Sequence, residues 1–290
     1  MAIFADEHMA GGAPKSRSSL RARVVTALVL VPVFLAGVFF LPNPVWALVT
    51  LAPLGVAAAE WSRLSRFEAA WRNAFMGVLI AAGLLLVAGQ WRLPEVAGPF
   101  ASWLFLAALA FWSIGAPAWL YYGWPTNSKA VMFGTGLMVL LPAWLAVASL
   151  QRTPQLLLTL LLVIWIADTA AYFTGRRFGR RKLAPTISPG KTWEGVIGAG
   201  VAVVAYGVAV GFVLLPGAGV YDRAGLLSFI VVLTAFSIIG DLFESWVKRQ
   251  AGAKDSGTLL PGHGGVLDRI DSLTAALPFA ALYFSLQASA

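Results

Sequence analysis

Residues 245–272 read SWVKRQAGAKDSGTLLPGHGGVLDRIDS. The stretch holds Lys248, Arg249, Lys254 and Arg269, three aspartates (Asp255, Asp268, Asp271), His263 and five glycines. Apolar runs at 226–247 and 271–288 flank it, each near the ~20 residues with which a helix crosses a ~30 Å hydrocarbon core. A loop so rich in charge between two such runs reads as the turn between two membrane spans. Working outward, further runs fall at 22–41, 44–61, 72–91, 100–122, 130–149, 155–175 and 193–215. The expected fold is therefore all-α, a polytopic helical membrane protein of about nine spans.

Composition supports this class. The chain is 59% hydrophobic and 12% charged, against roughly 45–50% and about 25% in soluble domains. It has no cysteine, which excludes disulfides and thiolate metal sites. His8 and His263 are the only imidazoles, too few for a His/Cys zinc site. Residues 1–21, polar and rich in small residues, are expected to form a disordered cytoplasmic tail. The run after them has a long basic lead and no A-x-A site, so it reads as a retained first span and not as a signal peptide.

The basic residues alternate from one connection to the next. Eighteen of the 21 fall on one side and only Arg92, Arg152 and Arg223 on the other. The positive-inside rule then places the N-terminus in the cytoplasm and the C-terminus outside. Five spans in 22–150 contain almost no polarity, whereas four spans in 151–290 carry nearly all of it, with two basic cytoplasmic loops. Trp46, Trp61, Trp71, Trp91, Trp103, Trp124, Trp193 and Trp246 lie at run ends and read as an interfacial belt.

Acids sit near the inner ends of spans: Asp168 in IWIADTAAYFTG, Asp241 and Glu244 in IIGDLFESWVKR, Asp268 and Asp271 in LDRIDS. The i, i+3 spacing puts each of the last two pairs on one helical face. A carboxylate at that depth costs ~2.5–3.5 kcal/mol and needs a partner, water or a metal ion. The plainer reading is ion pairing with neighbouring lysines and arginines. The sharper one is a magnesium site, because Mg²⁺ takes carboxylate, phosphate and water oxygens. Asp241 and Asp268 are the first choices, with Asp168 and Asp271 as further ligands. Beside them, GRRFGRRKLAPTISPGKTWEG brings Ser188, Lys191 and Thr192 up to a new helix, whose N-terminus would suit phosphate. SPGKT is not a nucleotide P-loop, since Pro185 stands where the first glycine is required and no strand precedes it. In GHGGVLDRIDS, glycines at 262, 264 and 265 permit positive φ and close approach to a ligand, and His263 could donate to a phosphate.

These residues carry a resemblance. Ser245, Lys248, Arg249, Lys254, Asp255, His263, Gly264, Gly265, Asp268, Arg269 and Asp271 resemble the hallmark of phosphatidate cytidylyltransferases, the CDP-diacylglycerol synthases. Asp168, Tyr172, Gly175, Lys182, Ser188, Pro189, Lys191, Thr192 and Glu194 extend it upstream. The similarity is strong in the second half, while the first five spans match only in hydrophobicity. It implies transfer of cytidylyl from CTP to phosphatidic acid, Mg²⁺ alone or with a second cation, and a funnel in the bilayer open to the cytoplasm. It also implies a homodimer, in the inner (plasma) membrane, with no nucleic-acid partner. Under it, Asp241, Asp268, Lys191 and His263 are the expected catalytic groups. Ser188, Thr192, Lys248, Arg249, Lys254, Asp255, Gly264, Gly265 and Arg269 are expected to hold substrate. Another Mg-dependent lipid or polyprenyl phosphate transferase, or an ion-coupled transporter, are the alternatives that the acids leave open.

Overall fold

The computed structural model describes residues 17–214, 219–259 and 264–289. Two long rods open the chain, α1 (Arg17–Phe40) and α2 (Asn43–Leu64), followed by α3 (Ala69–Arg92). Next come α4 (Pro94–Ala110), a π-helical turn (Phe111–Gly115) and α5 (Ala116–Tyr122), stacked end to end. Then follow α6 (Lys129–Leu150), α7 (Pro154–Phe178), α8 (Trp193–Leu214), α9 (Val220–Gln250) and α10 (Leu267–Ser289). Among the described residues, seven segments are long and apolar enough to cross a membrane, and the protein is an all-α polytopic membrane protein. Helix α10, which carries Asp268, Arg269 and Asp271 among its first five residues, is not one of the seven. The expected tail to residue 21 is shortened, since α1 already begins at Arg17; His8 lies outside the described residues.

Every backbone N–H and C=O within hydrocarbon must find a partner inside the protein. Helices meet this locally, and the turns between them meet it with side chains. Gln151 Nε2 donates to the carbonyls of Val38 and Leu41, both at 3.0 Å. Asn43 Nδ2 donates to Gln151 Oε1 at 2.9 Å and to the Ala148 carbonyl at 2.7 Å. Together they satisfy the α1–α2 turn against the end of α6. At the far end Lys129 pairs with Glu68, joining the starts of α3 and α6, and its ammonium holds the exposed Glu68 carboxyl below the usual carboxylate range.

Two helix pairs determine where the polar groups meet. Helices α7 and α8 approach through small residues, the usual device where lipid removes any hydrophobic drive for association. A Cβ on Gly198 would lie 2.2 Å from Thr174 Oγ1, and one on Gly195 2.9 Å from the Ala171 carbonyl. Helices α9 and α10 approach through Gly240, where a Cβ would lie 2.5 Å from the Asp271 carbonyl oxygen. Behind that crossing the π turn sets Phe111 and Trp112 edge-on to Phe243 of α9, at 5.5 and 5.6 Å between ring centres, and Trp119 adds a third edge at 5.6 Å. The first half of the chain thus builds a dry aromatic wall behind the acids of the second half.

Two sequence expectations change here. Trp46 and Trp61 are not belt residues: both are buried, and Trp61 Nε1 donates to the Met132 carbonyl at 3.0 Å. They pack between α2 and α6 because a run end in sequence need not face lipid. Trp103, Trp124 and Trp193 are exposed, as a belt requires. A strand does precede SPGKT, contrary to expectation, although SPGKT is itself a strand and Pro185 still stands where a P-loop needs glycine. Lys182–Ala184 (β1) and Ser188–Thr192 (β2) form a short antiparallel hairpin.

Candidate active site

The ends of α7, α9 and α10, the hairpin and residues 251–259 and 264–266 converge at one end of the bundle. Two tiers of carboxylates are stacked along α9 there. In the inner tier Lys191 Nζ lies 2.6 Å from Asp241 Oδ2. Ser245 Oγ donates to Asp241 Oδ1 at 3.3 Å, and Ser272 Oγ donates to Asp168 Oδ2 at 3.4 Å. Asp168 and Asp271 both lie within electrostatic reach of Asp241. In the outer tier Lys248 Nζ lies 2.7 Å from Asp268 Oδ1 and 3.2 Å from Glu244 Oε2. Asp241 and Lys248 are seven residues apart on α9, which is two turns and about 10 Å of rise. Asp241 and Asp268 therefore face the same end and the same side of α9, at different depths.

The outer tier is built by the loop as much as by the helices. Asp268 Oδ2 accepts the backbone N–H of Ser256 at 2.8 Å and of Gly265 at 2.9 Å, and lies 2.9 Å from Ser256 Oγ. The loop thus folds over the first turn of α10 and aims the other oxygen, Oδ1, at Lys248. Gly264 adopts φ +85°, a left-handed conformation open to glycine. Gly265 has no positive φ; its missing side chain clears Ser256 Oγ and Glu60 Oε2, which a Cβ would approach to 2.1 and 2.5 Å. That glycine makes room for the protein's own carboxylate, where the sequence suggested room for a ligand.

The basic residues divide in two. Lys191 and Lys248 are drawn inward onto carboxylates. Arg176, Arg177, Arg180, Arg181, Lys182, Lys254 and Arg269 are exposed around the opening, as is Asp255. Arg249 ties the two loops together: its Nε donates to the Ile187 carbonyl at 3.2 Å and its Nη1 to the Ala253 carbonyl at 3.1 Å. Glu194 accepts the backbone N–H groups of Arg180 and Arg181 at 3.1 and 3.2 Å, which sets the hairpin's angle to α8. Thr192 is buried and its Oγ1 accepts the Gly195 N–H at 3.1 Å. It caps α8 instead of presenting its hydroxyl to the opening, while Ser188 is half-exposed on β2. His263 and Gly262 lie outside the described residues.

The ion pairs that the plainer sequence reading anticipated are present, yet they do not balance the cluster. Among the described residues, Asp168, Asp241, Glu244, Asp268 and Asp271 face two ammonium groups, Lys191 and Lys248, so that with all five acids ionised the cluster carries a formal excess of three negative charges. Unpaired charge of that size is costly away from water. Glu244 lies buried within hydrogen-bond reach of Asp271, so these two carboxyl groups can share a proton. Among the described residues, no three acids already stand at metal-ligand distances. The donor set is nevertheless all carboxylate oxygen, which fits a hard divalent cation.

One functional residue escaped the sequence reading. Glu60 of α2 is buried and its carboxylate reaches across to Ser256, Val266 and Leu267. Its signal was available, because an acid inside an apolar run is unusual.

Known proteins resemble this chain along most of its length. The sequence model of the cytidylyltransferase family matches residues 21–287. A phosphatidate cytidylyltransferase of Pseudomonas aeruginosa is 42% identical over 277 residues, covering 92% of this chain and 97% of the relative. One of Haemophilus influenzae is 34% identical over 285 residues, covering 91% and 98%. One of Bacillus subtilis is 49% identical over 127 residues, 43% of this chain and 44% of the relative. The likeness therefore reaches the first five helices as well, beyond their shared hydrophobicity.

Proposed function

This chain belongs to the cytidylyltransferase family, and on that premise we propose that its reaction takes place at the two-tier carboxylate–lysine cluster. The enzyme is a nucleotidyltransferase: CTP and phosphatidate give CDP-diacylglycerol and pyrophosphate. A phosphate oxygen of phosphatidate attacks the α-phosphorus of CTP. The new P–O bond forms as the bond to the bridging oxygen of the β-phosphate breaks, and pyrophosphate leaves with that electron pair. The attacking phosphate is already ionised near neutral pH, so positioning and charge neutralisation dominate, as in phosphoryl transfer generally.

The residues divide this work. The exposed arginines and lysines of the hairpin and of the 248–269 loop gather the triphosphate and the lipid head group. Lys191 and Lys248 carry positive charge into the cluster, where each can turn from its carboxylate to a substrate oxygen. Asp241, Asp268, Asp271 and Asp168 are the oxygens that would hold Mg²⁺, with Glu244 behind them. When bound, the ion supplies Lewis-acid neutralisation of the phosphates. The acyl chains stay in lipid, which accounts for a site built where helices end. The observation that carries this reading is the joint placement of Lys191–Asp241 and Lys248–Asp268 on one side of α9. In purified protein, CDP-diacylglycerol formation from CTP and phosphatidate should fall to background in EDTA and return with Mg²⁺. Full activity in chelator would remove the metal.

The same reading takes nine spans, a cytoplasmic site in the inner membrane and an external C-terminus. The distribution of basic residues supports it. Because the chain has no cysteine, single cysteines report topology directly. Thr186→Cys, in the exposed hairpin turn, should resist an impermeant maleimide in intact cells and react after lysis, whereas Arg92→Cys should react in intact cells. The opposite pattern would invert the orientation. The family likeness also suggests a homodimer, a point for mass measurement in detergent.

A further inference from the structure

Among the described acids of the first half, Glu60, Glu68 and Glu95, it is Glu60 that reaches the site. It sits near the end of α2, 1% exposed, and its carboxylate gathers three donors from a segment some two hundred residues away. Oε1 accepts the Val266 N–H at 3.1 Å. Oε2 accepts the Leu267 N–H at 2.8 Å and lies 2.9 Å from Ser256 Oγ. Val266 and Leu267 open α10, whose first N–H groups have no partner within their own helix. A carboxylate placed there satisfies them and complements the positive end of the helix. The α2 helix thus caps α10 from outside.

Ser256 connects that cap to the site. Its hydroxyl lies 2.9 Å from Glu60 Oε2 and 2.9 Å from Asp268 Oδ2, and its oxygen accepts the Asp268 N–H at 3.3 Å. The hydroxyl has one hydrogen. Either carboxylate oxygen can accept it, so the hydroxyl bridges Glu60 to Asp268. Glycine occupies both positions where a side chain would strike the carboxylate: a Cβ on Gly257 would lie 2.3 Å from Glu60 Oε1, and one on Gly265 2.5 Å from Oε2. Arg66, at the end of α2, adds contacts to the carbonyls of Gln250 and Ala251 at 3.5 and 3.4 Å.

We propose that Glu60 is a positioning residue for the transfer reaction: it clamps Ser256 and the Val266–Leu267 start of α10 so that Asp268 presents one oxygen to the reacting groups. Glu60 touches neither substrate nor the lysines and acts only through Ser256 and the start of α10. The proposal rests on the role given to Asp268 above. Substrate is gathered chiefly by exposed cations, so releasing the clamp misdirects Asp268 more than it weakens CTP binding. Rate is affected in preference to affinity.

The test uses the full-length enzyme in detergent. Glu60→Gln replaces one acceptor oxygen by an N–H₂ group facing N–H donors. Gly265→Ala disturbs the same contact from the loop side. Both should speed amide hydrogen exchange at Ser256 and at 265–267 at least about 10-fold. Both should also lower kcat by about 10–100-fold, with the KM for CTP within about 3-fold of wild type, the scale expected for misplacement by about an ångström. Wild-type kcat in Glu60→Gln overturns the proposal. So does a fall in kcat without faster exchange, or a fall carried mainly by KM. If Glu60→Gln does not yield monodisperse protein, Gly265→Ala and Ser256→Ala decide the matter by the same criteria. Asp268→Asn separates the premise from the clamp. Wild-type turnover in that variant would remove the role of Asp268, while the exchange result would still report whether Glu60 holds the loop.

Discussion

Asp241→Asn is expected to lower CDP-diacylglycerol formation by about 10²–10³-fold, the scale at which one preorganised electrostatic group acts in a transition state, while the protein still accumulates in the membrane. The reason lies in what Asp241 touches. Its carboxylate pairs with Lys191 and accepts from Ser245, with Asp168 and Asp271 in electrostatic reach, and both partners of the ion pair are partly exposed, at 24% and 29%. Such a pair contributes on the order of 1 kcal/mol or less to stability, so its loss should leave the fold intact. What disappears is charge: one of the oxygens proposed to hold Mg²⁺, and the counter-charge that orients Lys191. Asp268→Asn is the companion variant and should be equally inactive. It is the less clean test, because Asp268 Oδ2 also organises Ser256 and Gly265. Turnover by Asp241→Asn within about 5-fold of wild type, at equal protein level, would end the metal and charge-neutralising role given to it.

Gly240→Ala should be strongly damaging to the site. Its Cβ would stand 2.5 Å from the Asp271 carbonyl oxygen and 3.2 Å from Ala275 Cβ. A backbone oxygen cannot turn aside as a side chain can, so α9 and α10 must part. Overpacking of this kind costs about 1–3 kcal/mol. The crossing also sets the spacing between Asp241 and Asp271, and a shift of about 1 Å in reacting geometry costs on the order of 10²-fold in rate. The measurement pairs turnover with a thermal melt. Gly134→Ala and Gly200→Ala provide controls, since each Cβ would enter open space and alanine suits a helix better than glycine by up to about 1 kcal/mol. If all three variants behaved alike, the α9–α10 contact would not set the site.

Much of the site was readable along the chain because its groups lie near one another in sequence or at helical spacing. Asp241, Glu244 and Lys248 repeat at intervals that share a helix face. The pairing of Lys248 with both Glu244 and Asp268 follows once α9 and α10 lie side by side. Glu60 could not be reached in that way. It is a single acid near the end of an apolar run, and only the packing of α2 against the start of α10 gives it partners. The two tryptophans read as interfacial failed for a related reason. Hydropathy locates a run end, but the rotation of the helix decides whether Trp46 and Trp61 meet lipid or α6. Thr192 looked like a phosphate contact because it precedes a helix, yet a threonine there can also cap that helix through its own hydroxyl, and this one does.

Hydropathy, charge and local spacing are properties of short segments, and they alone determined that this protein is a bundle of apolar helices with acids and cations collected at the helix ends. Which acid faces which lysine, why Gly265 must lack a side chain, and how the first half reaches into the reaction were decided only by tertiary structure. Those contacts join segments up to two hundred residues apart, and they depend on helix rotation and close backbone approach, neither of which a hydrophobic run encodes.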